Sequence, residues 1–154
     1  MKIIVAVVGK ARHPSVGPAA RDYEGRAAHY WPLEIHEVRE ESGRGASPDQ
    51  VRDKEGARLI AVAGTRAHVV ACDPGGTVMT SERFAMWLQR EREDGRDVSF
   101  VIGGAHGLSA AVRAASRTRI SLAPWTLSHE LARLVLAEQL YRAGTIIRGE
   151  PYHK

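Results

Sequence analysis

Residues 99–109 read Ser-Phe-Val-Ile-Gly-Gly-Ala-His-Gly-Leu-Ser and combine a short apolar run with three glycines. The run from Phe100 to Ile102 is apolar throughout, which predicts a buried strand. The glycines break that strand and permit a tight loop, and the alanine-rich sequence that continues to Ser116 favours a helix. Because ligands of open α/β sheets bind at the carboxyl ends of strands, this loop is a candidate ligand site. Alone, the Gly-Gly-x-x-Gly pattern is a weak signal that fits an ordinary strand-to-helix turn better than a ligand site.

The same alternation of strand and helix patterns extends along the whole chain. It predicts an α/β fold with a largely parallel sheet flanked by helices. In such a sheet, the loops after the third, fourth and fifth strands lie near one another; these loops are Asp73–Gly76, Gly103–Gly107 and Ala123–Leu127. The predicted strands span about 3–8, 33–38, 68–72, 100–102 and 120–122, and the predicted helices about 19–30, 47–62, 80–93, 109–116 and 130–143.

The composition is typical of one globular domain that spans residues 1–154. Apolar residues make up 44% and charged residues 26% of the chain, which provides a core without disulfides or metals. The formal net charge of +4 is compatible with an anionic partner such as RNA but does not establish one. The apolar run from Ile3 to Val8 is too short for a signal peptide or a membrane span, so we expect a cytoplasmic protein without a membrane partner.

Metal, redox and dinucleotide chemistry have little support in the sequence. The single cysteine, Cys72, excludes an internal disulfide and a cysteine-based zinc cluster, and a buried apolar role suits it better than a nucleophilic one. The seven histidines match no metal-ligand spacing, so we expect no metal site. The sequence after the first strand lacks the glycine pattern of dinucleotide-binding folds, and no phosphate-binding P-loop is present. A ligand site is therefore expected at the third to fifth strands.

The last predicted helix carries polar residues that each allow two interpretations. His129 follows a serine cap, where it faces either the expected ligand site or solvent. Arg133 and Arg142 suit phosphate binding, although ion pairs with Glu130 and Glu138 at helical spacing are the simpler interpretation. These two interpretations remain open at the level of the sequence.

The C-terminal residues Tyr152, His153 and Lys154 place an aromatic ring beside basic groups. A terminal tail is usually frayed. An aromatic ring next to cationic groups, however, can also stack on a base and hold its phosphate. The tail is therefore a second candidate for contact with a nucleic acid.

Several longer segments carry a more specific signal when they are taken together. They are Phe100-Val-Ile-Gly-Gly-Ala-His-Gly-Leu-Ser109, Leu122-Ala-Pro-Trp-Thr-Leu-Ser-His129, Leu136-Ala-Glu-Gln-Leu-Tyr-Arg142 and Pro151-Tyr-His-Lys154, with Asp53-Lys-Glu-Gly56 and Asp94-Gly-Arg-Asp97 in support. With these segments, the chain length and the order of elements, the whole chain closely resembles the RlmH family. Members of that family are methyltransferases of the SPOUT class.

The resemblance implies a SPOUT-type α/β fold with a C-terminal trefoil knot and an obligate homodimer. It implies S-adenosyl-L-methionine as the methyl donor, bound in the knot, with no metal. The implied reaction is methylation of N3 of pseudouridine 1915 in 23S rRNA, within the assembled ribosome. A non-catalytic RNA-binding or ribosome-binding module on the same fold is the alternative, and donor binding separates the two.

The resemblance also assigns residues to the methyl donor and to the substrate. Cys72 stands where relatives often have Leu, and His106 stands where they often have an acidic residue, so a carboxylate role is not available at position 106. The substrate side is assigned to His129, Arg133 and the C-terminal part of the chain, which includes Arg142, Tyr152 and His153. The residues assigned to the donor are Cys72, Gly103, Gly104, Leu122, Ala123, Pro124, Trp125, Thr126 and Leu127.

Methylation of a pseudouridine at N3 requires that a proton leave this nitrogen. His129 or His106 is the hypothesised proton acceptor, and Arg133 would favour the anionic base electrostatically. The sulfonium methyl group is already electrophilic, so the remaining demand is the positioning of the nitrogen in line with it.

Overall fold

A computed structural model describes all residues from Met1 to Lys154. Strands and helices alternate along the chain, as the sequence predicts. The elements are β1 (Ile3–Val8), α1 (Val16–Ala27), β2 (Leu33–Val38), α2 (Pro48–Ala63), β3 (His68–Val78), α3 (Ser81–Glu93), β4 (Val98–Ile102), α4 (Ala110–Ala115), β5 (Thr118–Ser121) and α5 (His129–Arg148).

The five strands form one sheet in the order β2-β1-β4-β3-β5, and all neighbouring strands are parallel. This confirms the predicted parallel α/β architecture. Helices cover both faces of the sheet, which explains why β1 and β4 are apolar at nearly every position instead of alternating. Alternate β1 residues point to opposite faces: Ile3 and Val5 contact the core beneath α1, α3 and α5, and Ala6 and Val8 contact the core beneath α2 and α4.

Hydroxyl side chains cap four of the helices, in agreement with the sequence. Ser47 forms a reciprocal capping box with Gln50 at the start of α2. Thr80, Ser109 and Ser128 accept hydrogen bonds from backbone N–H groups in the first turns of α3, α4 and α5. The caps fix where α4 and α5 begin, and both helices begin next to the loops that follow β4 and β5.

The predicted loop at Asp73–Gly76 is wrong in extent, because β3 continues to Val78. Both Cys72 and Thr77 pair with Ile120 of β5, so the intervening residues form a bulge inside the strand. Gly76 makes this possible, since a Cβ atom there would lie 2.6 Å from the carbonyl carbon of Ile120. Local turn residues predict a loop here, but close approach to β5 keeps the chain in the sheet.

Two helices differ from their predicted bounds by three residues or more. Helix α1 starts at Val16 and ends at Ala27, three residues earlier at each end than predicted. Helix α5 continues past Ala143 to Arg148 and ends where Gly149 adopts a φ of 67°. Its Gly144 faces the ring of Tyr30, with 2.3 Å between a Cβ built on the glycine and the ring Cγ, so only glycine fits in this turn.

Candidate functional site

A cavity of about 510 Å³ opens at the carboxyl ends of β3, β4 and β5. The loops that follow β4 and β5 supply most of its lining, and the bulge of β3 supplies Asp73 and Pro74, so the three segments predicted to lie near one another do so. This is the edge of a parallel sheet where ligands are expected. The volume is within the range of roughly 300–1,000 Å³ that is typical of small-molecule sites.

One wall of the cavity is the glycine turn after β4. The N–H of Gly107 donates a 3.0 Å hydrogen bond to the carbonyl oxygen of Gly104, and Gly107 has a φ of 81°. A Cβ atom on Gly103 would lie 2.7 Å from the carbonyl oxygen of Gly107. The turn therefore excludes side chains at these positions and presents bare backbone to the cavity.

The opposite wall is the loop between β5 and α5, residues 122–127. The Ser121 hydroxyl donates a 2.6 Å hydrogen bond to the carbonyl oxygen of Ala123 and fixes the start of this loop. None of the backbone N–H groups of residues 122–127 donates a hydrogen bond to another group of the chain. These N–H groups are therefore available to donate to a bound ligand or to water. At the mouth of the cavity, the side chain of Trp125 is 78% exposed.

Two charged residues in the lining, Asp73 and Arg113, are not among the predicted site residues, although Asp73 begins one of the predicted loops. Arg113 donates from Nε to Asp73 at 2.7 Å, and the backbone N–H of Gly75 donates to the same carboxylate at 3.0 Å. Burial alone would raise the pKa of Asp73, but these hydrogen bonds hold this pKa below its ordinary value. The cavity therefore contains a fixed carboxylate. The sequence signal that could have identified Asp73 is its position directly after Cys72, at the carboxyl end of a predicted strand.

Cys72 lines the cavity with a neutral side chain. Burial raises the pKa of its thiol to about 12, so the nucleophilic thiolate is not populated near neutral pH. This agrees with the prediction that Cys72 has an apolar role and not a nucleophilic one, although its side chain is only partly buried against the core.

His129 also lines the cavity, where it is the first residue of α5. Its Nε2 atom lies 3.6 Å from the position that a Cβ atom on Gly9 would occupy, so the end of β1 approaches the site as well. The neighbouring Glu130 accepts hydrogen bonds from the backbone N–H groups of Arg12 and His13. These bonds lower the pKa of Glu130 and hold the loop after β1 against α5.

Comparison with known proteins agrees with this geometry. The family described as "Predicted SPOUT methyltransferase" matches residues 1–153. The chain belongs to the SPOUT methyltransferase family. It is 62% identical over 154 residues to the Ribosomal RNA large subunit methyltransferase H of Gemmatimonas aurantiaca, and the match covers 100% of both chains.

Proteins of the same name from other bacteria are also similar over the full chain. The Anaeromyxobacter sp. (strain Fw109-5) protein is 46% identical over 154 residues, and that of Listeria monocytogenes serotype 4b (strain CLIP80459) is 43% identical over 159 residues; each match covers 100% of both chains. Among solved structures, TrmJ from Z. mobilis ZM4 aligns with a TM-score of 0.48 and 18% identity, covering 92% of this chain and 69% of that chain. The predicted SPOUT fold is confirmed by the family match, and the trefoil knot stays a prediction.

SPOUT methyltransferases use S-adenosylmethionine, and the cavity fits this group. Its backbone N–H groups suit the polar edges of an adenosyl group, and the apolar part of its lining suits the rings and methylenes. Of the residues predicted to bind the donor, Cys72, Gly103, Gly104, Leu122, Ala123, Trp125, Thr126 and Leu127 line the cavity and Pro124 does not. That they bind the donor stays a prediction.

The other two predicted catalytic residues of this SPOUT methyltransferase lie outside the cavity lining. The carbonyl oxygen of His106 accepts a 3.3 Å hydrogen bond from Arg52. Arg133 is buried between α1 and β2, where its Nε and Nη1 atoms donate to Glu24 at 2.6 Å and to Glu37 at 2.7 Å. Burial alone would lower the pKa of Arg133, but the two carboxylates raise it. The charged guanidinium therefore links α5 to α1 and β2. The prediction that Arg133 pairs with Glu130 is therefore wrong.

The predicted substrate-binding residues at the C-terminus form a separate cluster. Arg142 pairs with Glu138, as predicted, and the hydroxyl of Tyr152 donates to the same carboxylate at 3.1 Å. His153 contacts Glu82 of α3 at 2.8 Å, so the tail is docked on the helices instead of frayed. Arg142 lies thirteen positions after His129 in α5, which is about 20 Å along the helix. Within one chain, the structure does not bring this cluster to the cavity.

No group of three or more His, Cys, Asp or Glu side chains is arranged to hold a metal ion. None of the helices combines the length and apolar character needed to span a membrane.

Proposed function

We propose that this chain transfers the methyl group of S-adenosylmethionine to N3 of a pseudouridine in 23S rRNA, on the assembled ribosome. The observation that carries the proposal is the full-length identity of 62% to a protein named Ribosomal RNA large subunit methyltransferase H. The cavity at the ends of β3, β4 and β5 supports it, because that cavity lies where this fold class binds ligands. An rRNA substrate also implies a cytoplasmic protein.

In this proposal, the glycine turn and the loop of residues 122–127 hold the donor through backbone groups, and Asp73 and Arg113 supply the charged contacts. When bound, S-adenosylmethionine supplies an electrophilic methyl group. The chain's own task is to orient the substrate nitrogen and to exclude water from it. These demands require rigid walls, which the glycine turn and the capped start of α5 provide.

His129 is the proposed acceptor of the N3 proton, because it is the one predicted catalytic residue in the cavity lining. His129 would take the N3 proton onto its imidazole, while the bound donor would supply the methyl group to this nitrogen and leave as S-adenosylhomocysteine. Removal of the proton before or during transfer leaves the nitrogen lone pair free for the new bond.

We further propose that the active unit is a homodimer in which the C-terminal tail of a second copy approaches the cavity. This arrangement would bring the aromatic ring and basic groups of the tail to the substrate, where they could stack on a base and hold its phosphate. The support is the distance of about 20 Å along α5 that separates Arg142 from His129 in one chain. Sedimentation velocity across a range of protein concentrations tests it, and a monomer at the concentrations used for activity would contradict it.

The experiment that tests the proposed function is methyl transfer from labelled S-adenosylmethionine to ribosomes from a strain that lacks this modification. Intact 70S ribosomes should accept label at N3 of a 23S rRNA pseudouridine, whereas free subunits should not. Donor binding by calorimetry is measured in parallel. Donor binding without transfer would point to another RNA, and RNA binding without donor binding would favour a non-catalytic binding module.

A further inference from the structure

Glu55 is a buried carboxylate without a counter-ion. It lies on α2 within the Asp53-Lys-Glu-Gly56 segment and is only 3% exposed. Its Oε1 atom accepts a 3.1 Å hydrogen bond from the backbone N–H of Glu41, but its Oε2 atom has no hydrogen-bond partner. The neighbouring cations are engaged elsewhere, since Lys54 and Arg58 both pair with Glu41.

The carboxylate lies directly behind the glycine turn of the cavity. A Cβ atom on Gly104 would lie 2.7 Å from Oε2 and 3.2 Å from Oε1 of Glu55, so the two residues are in direct contact. Gly104 itself lines the cavity. One residue without a side chain therefore separates a carboxyl group with an unpartnered oxygen from the space in which a ligand would bind.

An isolated buried charge is costly unless an opposite charge compensates it. Within the chain, no cation pairs with Glu55. The proposed methyl donor carries a positive sulfonium, and its product, S-adenosylhomocysteine, is a neutral thioether at the same atom. In its ionised form, the Glu55 side chain behind Gly104 would therefore attract the donor more strongly than the product.

We propose that Glu55 is a charge-selecting residue of the donor site, which favours the sulfonium form of the ligand over the thioether form. The inference rests on the proposed function and adds a means of discrimination between donor and product. Glu55 acts through the backbone of Gly104 and has no direct part in the transfer of the methyl group. Transfer of the methyl group removes the sulfonium charge. The product then binds more weakly than the donor and dissociates more readily.

The test is isothermal titration calorimetry of both ligands with the full chain and with Glu55→Gln. The substitution removes the charge but keeps an oxygen that can accept from Glu41. The affinity for S-adenosylmethionine relative to S-adenosylhomocysteine should fall by about tenfold, through weaker binding of S-adenosylmethionine. The matched control is Asp53→Asn, which removes the same charge from an exposed position on the same helix and should leave the ratio unchanged.

The outcomes separate this inference from the proposed function. If the unsubstituted chain binds neither ligand, the proposed function fails. If it binds both and Glu55→Gln weakens both equally, Glu55 has a structural role only and the inference is overturned. Circular dichroism checks that the variant is folded. Glu55→Met, which removes the buried polar group entirely, provides a second uncharged variant, and the same drop in the ratio is expected.

Discussion

Replacement of Arg133 by Met should reduce the free energy of unfolding by about 3–5 kcal/mol. The Arg133 side chain is 5% exposed and ties α5 to Glu24 of α1 and Glu37 of β2. Methionine fills much of the same space but leaves Glu24, whose side chain is 11% exposed, buried without a counter-ion. Glu37 is more exposed, so its loss of a partner contributes less. For a domain of this size, the loss corresponds to a drop in Tm of roughly 10 °C.

The assay is urea unfolding followed by far-ultraviolet circular dichroism, at one fixed protein concentration because dimerisation would shift the transition. The control is Arg142→Met, which breaks a partly exposed pair with Glu138 and should cost no more than about 1 kcal/mol. The double variant Glu24→Gln/Arg133→Met should regain part of the loss, because no buried charge is then left alone. A loss below about 1 kcal/mol for Arg133→Met would refute the structural role assigned to this residue.

Three further perturbations address the site itself. His129→Ala should slow methyl transfer by roughly 10²–10⁴-fold with the Kd for the donor nearly unchanged; unaltered single-turnover rates would remove His129 from the mechanism. Gly104→Ala places a Cβ atom 2.7 Å from a Glu55 oxygen and should weaken donor binding and cost about 1–3 kcal/mol of stability, whereas Gly43→Ala, with open space around it, should not; calorimetry and urea unfolding check both. The pKa of Asp73 is lowered in the fold, so its contribution to stability is present at neutral pH and is lost as the pH falls below about 4 toward the folded-state pKa. The Tm difference between the unsubstituted chain and Asp73→Asn should therefore shrink at about pH 3, and an equal difference at both pH values would argue against this carboxylate as its source.

Local chemistry explains what could be predicted from the sequence. The run Phe100–Ile102 has no polar residue and ends at glycines, so it identifies a buried strand and the turn after it without any tertiary information. Serine and threonine at positions 47, 80, 109 and 128 mark helix starts because their oxygen atoms pair with N–H groups only a few residues away. Once strands and helices are known to alternate, the clustering of three loops follows from the parallel sheet.

Long-range contacts explain what could not be predicted. Arg133 and Glu24 are 109 residues apart in sequence, so their pairing cannot be inferred from helical spacing, which points instead to Glu130. The Pro-Gly-Gly sequence after Asp73 has the local composition of a loop, yet Gly76 packs against the backbone of β5 and keeps these residues in the sheet. Likewise, glycine at position 144 favours a helix end, yet α5 continues through it. A glycine is required there because the ring of Tyr30 packs where a Cβ atom would lie.

The place of β4 in the sheet has a consequence for the synthesis of the protein. β4 lies between β1 and β3, although about 90 residues separate it from β1 along the chain. Until β4 emerges from the ribosome, β1 can pair only with β2 and presents an open, apolar edge. Closure of the sheet therefore waits for the second half of the chain, and such non-local pairing slows folding. Because β4 also carries the glycine turn, one wall of the ligand cavity forms in the same late step that removes this exposed edge, and the opposite wall, residues 122–127, is added after it.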